Sequence, residues 1–412
     1  KKTKIMLKAG GEMLDKVMFE EIIHPEKWIN ECYKELMEKE WNNEIERCRR
    51  HTERLIKRIS NSQYQFPSEC PIKGRYPLRD NIGWTEGFWT GINWLLFEKT
   101  GDPLFQQTAE KADIDFIHRI DCQIITNHHD LGFLYSLSTV ADYKITGNRK
   151  MKEASIDAAE TLLQRFWEKA GVIQAWGDPS DPSQQGRMIM DCCMNLPLLY
   201  WASEETGNQK YKKAAQAHIQ NAADYLVRED GSTYHTFYMD VKDGKPRYGS
   251  THQGYSDNSC WARGQAWGIY GFALSYRYLK EQKYFDLSKI LANYFMNRLP
   301  EDTICYWDLI FDDSSREEKD TSSMVIMVCG LLELIESGLL DKTEKNLYQS
   351  AVWKIMRQLK ERYATTEEED GFLTQSVYNK PKNNGVNTPC IWGDYYYLEA
   401  LVRMTSNWSS YW

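Results

Sequence analysis

The chain has 412 residues, of which 42% are hydrophobic and 27% are charged, as is typical of a globular protein with a large core. The formal net charge of −8 argues against a general nucleic-acid binder and against a protein that binds anionic membranes, since both classes favour basic surfaces. Aromatic residues make up 13% of the chain, which fits either a large aromatic core or surfaces on which sugars stack.

Cysteine usage and hydropathy bear on the cellular location. The ten cysteines include no CxxC pair and no Cys/His spacing typical of zinc sites, so we expect reduced thiols, no metal and no disulfide scaffold. No apolar run reaches the roughly 18 residues of a transmembrane helix, and the opening stretch KKTKIMLKAGGEML lacks the apolar segment of a secretion signal. These features predict a cytoplasmic protein with neither a membrane nor a nucleic acid as partner.

Along the chain, the predicted helices follow a repeated pattern that is clearest where they end. Three apolar segments finish in Thr-Gly-Asp or Thr-Gly-Asn, and glycine after the last turn is a common helix stop. An amphipathic segment follows each of them, and the alternation continues less strictly towards the C-terminus. The apolar segments are 84–102, 128–148, 190–208, 261–280, 320–338 and 393–404, and the amphipathic segments are 26–58, 103–119, 149–168, 209–228, 283–299 and 343–363.

This alternation predicts an all-α fold. Helices that are apolar nearly all round lie inside a protein, whereas helices with one polar face lie at its surface. Six inner helices within six outer helices form an (α/α)6 barrel, and we predict one such domain over residues 1–412, with 1–21 as an N-terminal extension. Among the non-helical stretches, 230–260 contains a predicted β-hairpin around Asp243 and Gly244.

Polar and aromatic side chains cluster at the predicted starts of the inner helices. In such a barrel these six N-termini meet at one rim, where the helix dipoles favour an anionic ligand. Each aspartate alone is also explained as a helix N-cap, and each tryptophan as part of the core. Together they suit a sugar acid held against aromatic planes above two carboxyl groups whose pKa values differ. The residues are Trp84, Glu86, His129, Asp130, Asp191, Trp261, Arg263, Asp320 and Asp394.

Longer motifs carry a family resemblance. From about Ile22 to Trp412 the chain resembles the unsaturated glucuronyl hydrolases, glycoside hydrolase family 88. The matching motifs are HHDLGFLY (128–135), IQAWG (173–177), MDCCMN (190–195), HTFY (235–238), HQGYSDNSCWARGQAWGIYG (252–271), YWDLIF (306–311) and IWGDYYYLEAL (391–401). The family fold is an (α/α)6 barrel, which agrees with the helix count.

The resemblance also implies a reaction. Members of this family release a 4,5-unsaturated uronic acid from the non-reducing end of glycosaminoglycan oligosaccharides made by lyases, and they do so by hydrating the C4=C5 bond. The implied partners are unsaturated glycosaminoglycan disaccharides and short oligosaccharides, and no metal or organic cofactor is implied. By motif match, Asp191 is the general acid and base. Asp130 matches a second essential aspartate, whose charge would keep Asp191 protonated and stabilise the developing cation.

Further positions match the substrate-binding residues of the family. They are Trp84 and Trp176 as stacking walls, His129, His235, His252, Gln253 and Arg263 as polar contacts, and Trp261 and Trp267 as the remaining pocket wall. We expect Arg263 and Gln253 to bind the substrate carboxylate, because a guanidinium fits a carboxylate through two hydrogen bonds.

One stretch departs from the pattern of some members. Where these members carry a sulfate-holding Ser-x-x-Ser-x-Lys pattern, this chain has Asn379, Lys382 and Asn384. His252 stands where some sulfate-preferring members have arginine. The preference for sulfated or unsulfated substrates is therefore open, since Lys380 and Lys382 still offer positive charge.

Three other functions remain as alternatives. The nearest is an unsaturated rhamnogalacturonyl hydrolase on a similar barrel. A sugar epimerase on an (α/α)6 barrel would use a histidine pair as acid and base, here His235 and His252. A carbohydrate-binding barrel without activity would use its aspartates only as helix caps.

Overall fold

The computed structural model describes residues 2–3, 17–29 and 37–412. Helices dominate the described residues. They are α1 (Met37–Ser60), α2 (Glu86–Thr100), α3 (Pro103–Asp121), α4 (Leu131–Tyr135), α5 (Ala141–Thr146), α6 (Arg149–Leu163), α7 (Leu196–Thr206), α8 (Gln209–Asn221), α9 (Ala262–Leu279), α10 (Gln282–Met296), α11 (Thr321–Glu336), α12 (Lys342–Tyr363) and α13 (Ile391–Thr405).

The helices form two concentric rings. The π-helical turn Ser136–Val140 joins α4 and α5 into one inner helix. The inner ring is completed by α2, α7, α9, α11 and α13; α9 packs against α11, α11 against α13, and α13 against α2, which closes the ring. The outer ring contains α1, α3, α6, α8, α10 and α12. The predicted (α/α)6 barrel is confirmed.

Burial explains which helix lies in which ring. Every residue of α11 from Thr321 to Leu334 is buried, as expected for a helix that is packed on all sides. In contrast, α12 buries a single stripe that includes Leu347, Ala351 and Ile355, and its other face is polar. The difference in hydrophobic pattern between these two helices therefore places α11 in the inner ring and α12 in the outer ring.

The Thr-Gly-Asp/Asn repeats form the turns between inner and outer helices. Gly101, Gly147 and Gly207 end α2, α5 and α7 with φ values of 70°, 76° and 71°, in the left-handed region that glycine adopts at little cost. The following Asp or Asn side chain then accepts a backbone N–H of the next helix and caps it. One tripeptide thus ends one helix and begins the next. The sequence predicted the glycine stop, and the structure adds the cap.

Eleven short strands lie in the loops of the described chain. They are β1 (Lys2–Thr3), β2 (Phe19–Glu20), β3 (Phe66–Pro67), β4 (Leu78–Arg79), β5 (Phe166–Trp167), β6 (Val172–Ile173), β7 (Arg187–Ile189), β8 (Thr236–Met239), β9 (Pro246–Ser250), β10 (Ser376–Asn379) and β11 (Asn384–Thr388). β8 and β9 form the predicted hairpin around Asp243 and Gly244. β7 pairs antiparallel with β8, opposing Ile189 to Thr236, and so brings the residues that follow β7 beside those that precede β8.

Two predicted helices have different bounds. Segment 26–58 is helical only from Met37 in the described chain; Pro25–Lys27 is a separate 3-10 turn, and residues 30–36 lie outside the described residues. Segment 149–168 stops being helical at Leu163, because Phe166–Trp167 turns back to pair with Val172–Ile173. The predicted extension 1–21 falls mostly outside the described residues and stays a prediction.

Aromatic rings fill the centre of the inner ring. Trp267 of α9 lies 5.0 Å from Phe133 of α4 and 5.5 Å from Tyr396 of α13, between ring centroids. Trp412 stacks on Tyr396 at 5.9 Å from the side where the inner helices end. Much of the high aromatic content is therefore core. Within the described ranges, no helix is long and apolar enough to cross a bilayer.

Candidate active site

A cavity of about 350 Å³ opens at the rim where the inner helices begin. It contains most of the residues predicted for the site. Its lining consists of Trp84, His129, Asp130, Trp176, Ile189, Asp191, His252, Gln253, Arg263, Tyr378, Asn379 and Lys382. A larger cavity, of about 700 Å³, lies at the opposite rim where α11 and α13 end, and none of the predicted site residues lines it.

Asp191 lies in the 3-10 turn Met190–Met194 that leads into α7. Its side chain is 12% exposed, and the neighbouring Cys192 and Cys193 are fully buried. Burial raises the pKa of Asp191 from 3.8 to about 6, against the lowering effect of the His129 and Arg263 charges, and the Asp130 charge raises it further. An aspartic acid with this pKa keeps its proton in about half of the molecules at pH 6 and in about a tenth at pH 7, far more than an ordinary aspartate does.

Asp130 lies immediately before α4 and has the opposite electrostatic surroundings. His129 Nε2 lies 3.2 Å from Asp130 Oδ1, and His128 Nδ1 lies 3.4 Å from Oδ2. Although burial acts in the other direction, the charge of His129 and the hydrogen bonds of both histidines lower the pKa of Asp130. The pair of carboxyl groups therefore divides into an ionised Asp130 and an Asp191 that can hold a proton.

His235 faces Asp191 from the residue before β8. Its Nδ1 accepts the backbone N–H groups of His252 (3.1 Å) and Gln253 (3.3 Å), which assigns the ring hydrogen to Nε2. Nε2 lies 3.8 Å from Asp191 Oδ1, and neither atom has a hydrogen-bond partner among the described residues. Burial lowers the pKa of His235 well below its usual value, so the ring is neutral and presents an N–H group to Asp191.

Arg263 is buried beside the carboxyl pair and is held on several sides. Its guanidinium donates to the backbone carbonyls of Val377 and Tyr378 and to Gln253 Oε1. It also stacks on Trp261, 4.4 Å from the ring centroid. Since Gln253 Oε1 is occupied by Arg263, the Gln253 amide group that remains for a ligand is its Nε2 hydrogen-bond donor.

Two tryptophans form opposite parts of the cavity wall. Trp84 is half-buried and donates from Nε1 to the Tyr378 hydroxyl at 3.0 Å. The Arg187 guanidinium lies over Trp176, with its Cζ 4.6 Å from the centroid of the tryptophan ring. Trp176 also contacts the His252 ring edge-on. Both are therefore fixed in orientation before any ligand binds.

Four predicted site residues lie outside the cavity lining: His235, Trp261, Trp267 and Asn384. The ring centroids of Trp261 and His235 are 4.3 Å apart. Trp261 therefore packs against His235, whose other side faces Asp191. Trp267 is fully buried in the aromatic centre, so it is core rather than pocket wall. Asn384 lies on β11 opposite Asn379, with its side chain towards solvent. Lys380, named as a possible charge, forms an ion pair with Glu318 instead.

Two lining residues, Ile189 and Tyr378, were not predicted. Tyr378 follows the buried Val377 in β10, and its backbone carbonyl accepts from Arg263. The alternation of the strand is its only sequence signal. Ile189 ends β7 directly before the 3-10 turn of Asp191, where apolar residues on both sides conceal it.

The structure also separates caps from site residues among the aspartates at the helix starts. Asp320 is an N-cap, because its Oδ1 accepts the Ser322 N–H of α11. Asp394 lies inside the first turn of α13 and binds the Phe372 N–H and the Tyr76 hydroxyl. Neither Asp130 nor Asp191 caps its own helix. In the described part of the chain, no cluster of three His, Cys, Asp or Glu side chains is arranged to hold a metal ion.

Comparisons with known proteins identify the family of the chain. A sequence model described as Glycosyl Hydrolase Family 88 matches residues 55–410. The chain is 42% identical over 402 residues to an unsaturated chondroitin disaccharide hydrolase of Streptococcus pneumoniae, covering 97% of this chain and 100% of the relative. It is 40% identical to an unsaturated glucuronyl hydrolase of a Bacillus species, over 88% of this chain and 96% of the relative.

Solved structures are similar over the same length. The crystal structure of an unsaturated glucuronyl hydrolase from Streptococcus agalactiae superposes with a TM-score of 0.92 at 42% identity, covering 96% of this chain and 99% of that chain. An aspartate-to-asparagine variant of that enzyme, complexed with dGlcA-GalNAc6S, superposes with a TM-score of 0.84 at 39% identity and the same coverage. The chain therefore belongs to glycosyl hydrolase family 88.

Proposed function

We propose that this glycoside hydrolase releases 4,5-unsaturated uronic acid from the non-reducing end of unsaturated glycosaminoglycan disaccharides and short oligosaccharides. The names of the relatives support the substrate class, and the S. agalactiae variant supports it with its bound unsaturated disaccharide. The observation that carries the proposal is the carboxyl pair, in which Asp191 has a raised pKa and Asp130 a lowered one. Hydration of a C4=C5 bond needs a proton donor of this kind beside a fixed negative charge.

Asp191 supplies the proton chemistry in this proposal. Its carboxyl group gives a proton to C4, which leaves positive charge shared between C5 and the ring oxygen. Its carboxylate then takes a proton from the water that adds at C5, so Asp191 ends the step protonated as it began. The product is a hemiketal at C5, which opens to the 5-keto acid and releases the neighbouring sugar from C1.

The surrounding groups stabilise this step. The ionised Asp130 stabilises the cation by its negative charge, and its repulsion favours the protonated form of Asp191 before the step. The neutral His235 directs its Nε2–H at Asp191 Oδ1 and stabilises the carboxylate that forms once the proton has left. Both groups are held by other contacts, so little reorganisation is needed during the reaction.

The uronate carboxylate is bound by Arg263 and Gln253 in this proposal. Arg263 contributes its positive charge beside Asp191, since its Nη atoms already donate to protein groups and Nη1 lies 3.6 Å from Asp320 Oδ2. Gln253 retains an amide donor for a carboxylate oxygen. Trp84 and Trp176 offer apolar planes on which sugar C–H faces stack. This arrangement orients the double bond towards Asp191.

The test is turnover of an unsaturated chondroitin disaccharide, followed by the loss of the ultraviolet absorbance of its conjugated double bond. Asp191→Asn should lower kcat by a factor on the order of 10²–10⁴, the usual contribution of a general acid–base residue. Asp394→Asn is the matched control, since Asp394 is a second buried aspartate with a pKa of about 7 that lies outside the cavity. A folded Asp191→Asn enzyme with normal turnover would refute the mechanism.

The substrate class is tested with a panel of lyase-made disaccharides. Faster turnover of a rhamnogalacturonan-derived disaccharide than of a chondroitin-derived one would support the rhamnogalacturonyl alternative. Activity that survives loss of Asp191 but not of His235 or His252 would support an epimerase.

Positive charge at the cavity mouth bears on sulfation. Lys382 lines the cavity, and Arg187 lies over Trp176. His252 also lines the cavity, but burial and the charges of Arg187 and Lys382 lower its pKa, so its ring is neutral near neutral pH. We infer that an anionic substituent on the second sugar is accepted here, although the Ser-x-x-Ser-x-Lys pattern is absent. Lys382→Ala should therefore raise KM for a sulfated disaccharide and leave KM for its unsulfated form nearly unchanged.

We also propose a reducing compartment such as the cytoplasm. The nine described cysteines are all free thiols, and seven of them are buried. Cell fractionation would test this, together with counting the free thiols of the purified protein without added reductant. A protein recovered outside the cell with oxidised cysteines would contradict it.

A further inference from the structure

The two segments that carry the carboxyl pair meet at one close backbone contact. Gly132, in the first turn of α4, lies so near Asn195 that a Cβ at position 132 would be 2.3 Å from Asn195 Cα. Asn195 is the residue between the 3-10 turn of Asp191 and α7. The separation between Asp130 and Asp191 thus depends on how these two helix starts pack.

The Asn195 side chain joins the same two segments through hydrogen bonds. It is fully buried, and its Oδ1 accepts the Phe133 backbone N–H at 2.7 Å. Its Nδ2 donates to the Asp191 backbone carbonyl at 3.4 Å. One amide group therefore contacts the backbone of α4 and the backbone of the residue proposed as acid and base.

The Phe133 contact is a helix cap supplied from another helix. The first N–H groups of an α-helix have no partner within the helix, and an Asp at the N-cap position usually accepts one of them. Asp130 occupies the N-cap position of α4 but makes no such bond. Asn195 accepts this N–H instead, and the Asp130 carboxylate is left to face His129 and the cavity.

We propose that Asn195 is a positioning residue, which caps α4 from the neighbouring helix start and thereby frees the Asp130 carboxylate for the site and holds it beside Asp191. This inference rests on the proposed function for its kinetic consequences, whereas the structural consequence for the carboxyl pair does not depend on which substrate is used.

Removal of Asn195 has a directional consequence. Without Asn195 Oδ1, the Phe133 N–H would need another acceptor, and the Asp130 carboxylate at the N-cap position of α4 can supply it. Asp130 would then turn towards Phe133 and away from Asp191. The Asp130 charge raises the pKa of Asp191, and its departure lowers that pKa. The titratable and charged groups around Asp191 are His129, Asp130, Cys192, Cys193, His235 and Arg263.

The first experiment compares Asn195→Leu with Asn195→Asp. Asn195→Leu removes both hydrogen bonds, and we expect kcat to fall on the order of 10²-fold with little change in KM, the scale of a misplaced catalytic group. The limb of the pH–kcat profile that requires protonated Asp191 should move to lower pH. Asn195→Asp keeps the acceptor for the Phe133 N–H but loses the donor to the Asp191 carbonyl. It should therefore retain more activity than Asn195→Leu, and its added negative charge should move the limb to higher pH.

The control is Asn93→Leu. Asn93 is equally buried in α2, and its Nδ2 donates to the Trp89 carbonyl at 2.8 Å, away from the cavity. We expect Asn93→Leu to lower Tm as Asn195→Leu does but to leave kcat and the pH profile unchanged. Equal kinetic effects of the two leucine variants would show that Asn195 acts only through stability, which would overturn the inference.

The second experiment needs no substrate. A ¹³C NMR titration of the Asp191 carboxyl, assigned with Asp191→Asn, should show a lower pKa in Asn195→Leu than in the wild type. An unchanged titration in folded Asn195→Leu overturns the inference. If Asn195→Leu does not fold, Asn195→Asp serves as the test. A loss of kcat in Asn195→Asp on the order of 10²-fold, as large as that expected for Asn195→Leu, would also overturn the inference. If the titration shifts but the wild type does not turn over an unsaturated disaccharide, the proposed function fails and the positioning role stands.

Discussion

Replacing Asp191 by asparagine should make the protein more stable at neutral pH, although it removes the proposed acid and base. Burial raises the pKa of Asp191 from 3.8 to about 6 in the folded chain. The folded state therefore binds this proton more tightly than the unfolded state does, and the unfolding free energy falls as pH rises from the unfolded pKa of about 4 to the folded pKa of about 6. Each unit of difference between the folded and unfolded pKa is worth roughly 1.4 kcal/mol. Above pH 6, the ionised Asp191 therefore lowers the unfolding free energy of the wild type by about 3 kcal/mol.

Urea unfolding of both proteins across a range of pH measures this effect. The gain in unfolding free energy of Asp191→Asn should be near zero below the unfolded pKa of about 4, and should grow to about 3 kcal/mol well above pH 6. The isosteric amide keeps the volume of the side chain, so packing contributes little to the difference.

Asp130→Asn is the matched comparison with the opposite sign. Despite burial, His129 and His128 lower the pKa of Asp130, so its ionised form stabilises the fold at every pH above the unfolded pKa. The Asp130→Asn protein should therefore have a lower unfolding free energy than the wild type at neutral pH. An Asp191→Asn protein that is folded but no more stable than wild type at pH 8 would refute the electrostatic reasoning.

Three further results are expected. The kcat/KM for an unsaturated disaccharide should fall as pH rises through about 6, because Asp191 of the free enzyme loses its proton there; a flat kcat/KM profile up to pH 9 would contradict this. Gln253→Ala should raise KM by about tenfold with a smaller change in kcat, since one hydrogen bond to a charged group is worth about 1.5 kcal/mol; initial rates over a range of substrate concentration check it. Asp113→Asn should raise Tm at neutral pH, because burial and the charge of the neighbouring Asp142 raise the pKa of Asp113, and an amide removes the cost of burying the ionised group; a lower Tm by calorimetry would contradict this.

Local signals in the sequence were sufficient for the barrel. The Thr-Gly-Asp/Asn repeats mark three turns because both of their functions are local: glycine adopts a left-handed φ, and Asp or Asn caps the helix that follows. The π-helical turn Ser136–Val140 left no comparable signal, since its hydrogen-bond pattern depends on how the inner helix packs.

The site was predictable only in part. The motif containing Asp191 identified a carboxyl group in apolar surroundings, and the cavity contains it. Trp267 lies in the same motif as Arg263, yet it points into the aromatic centre, because residues one turn apart on a buried helix can serve different environments. The capping bond from Asn195 to Phe133 joins two different helices, and such a contact is visible only once the fold is known.

Closure of the inner ring has a consequence for folding. The packing of α13 on α2 joins opposite ends of the described barrel, and such contacts form at a high cost in chain entropy. The cavity takes its walls from the starts of four of the six inner helices, from loops and from β10, so no half of the chain contains it. During refolding, enzymatic activity should therefore recover later than the helical circular-dichroism signal. The return of turnover would report that α13 has packed on α2.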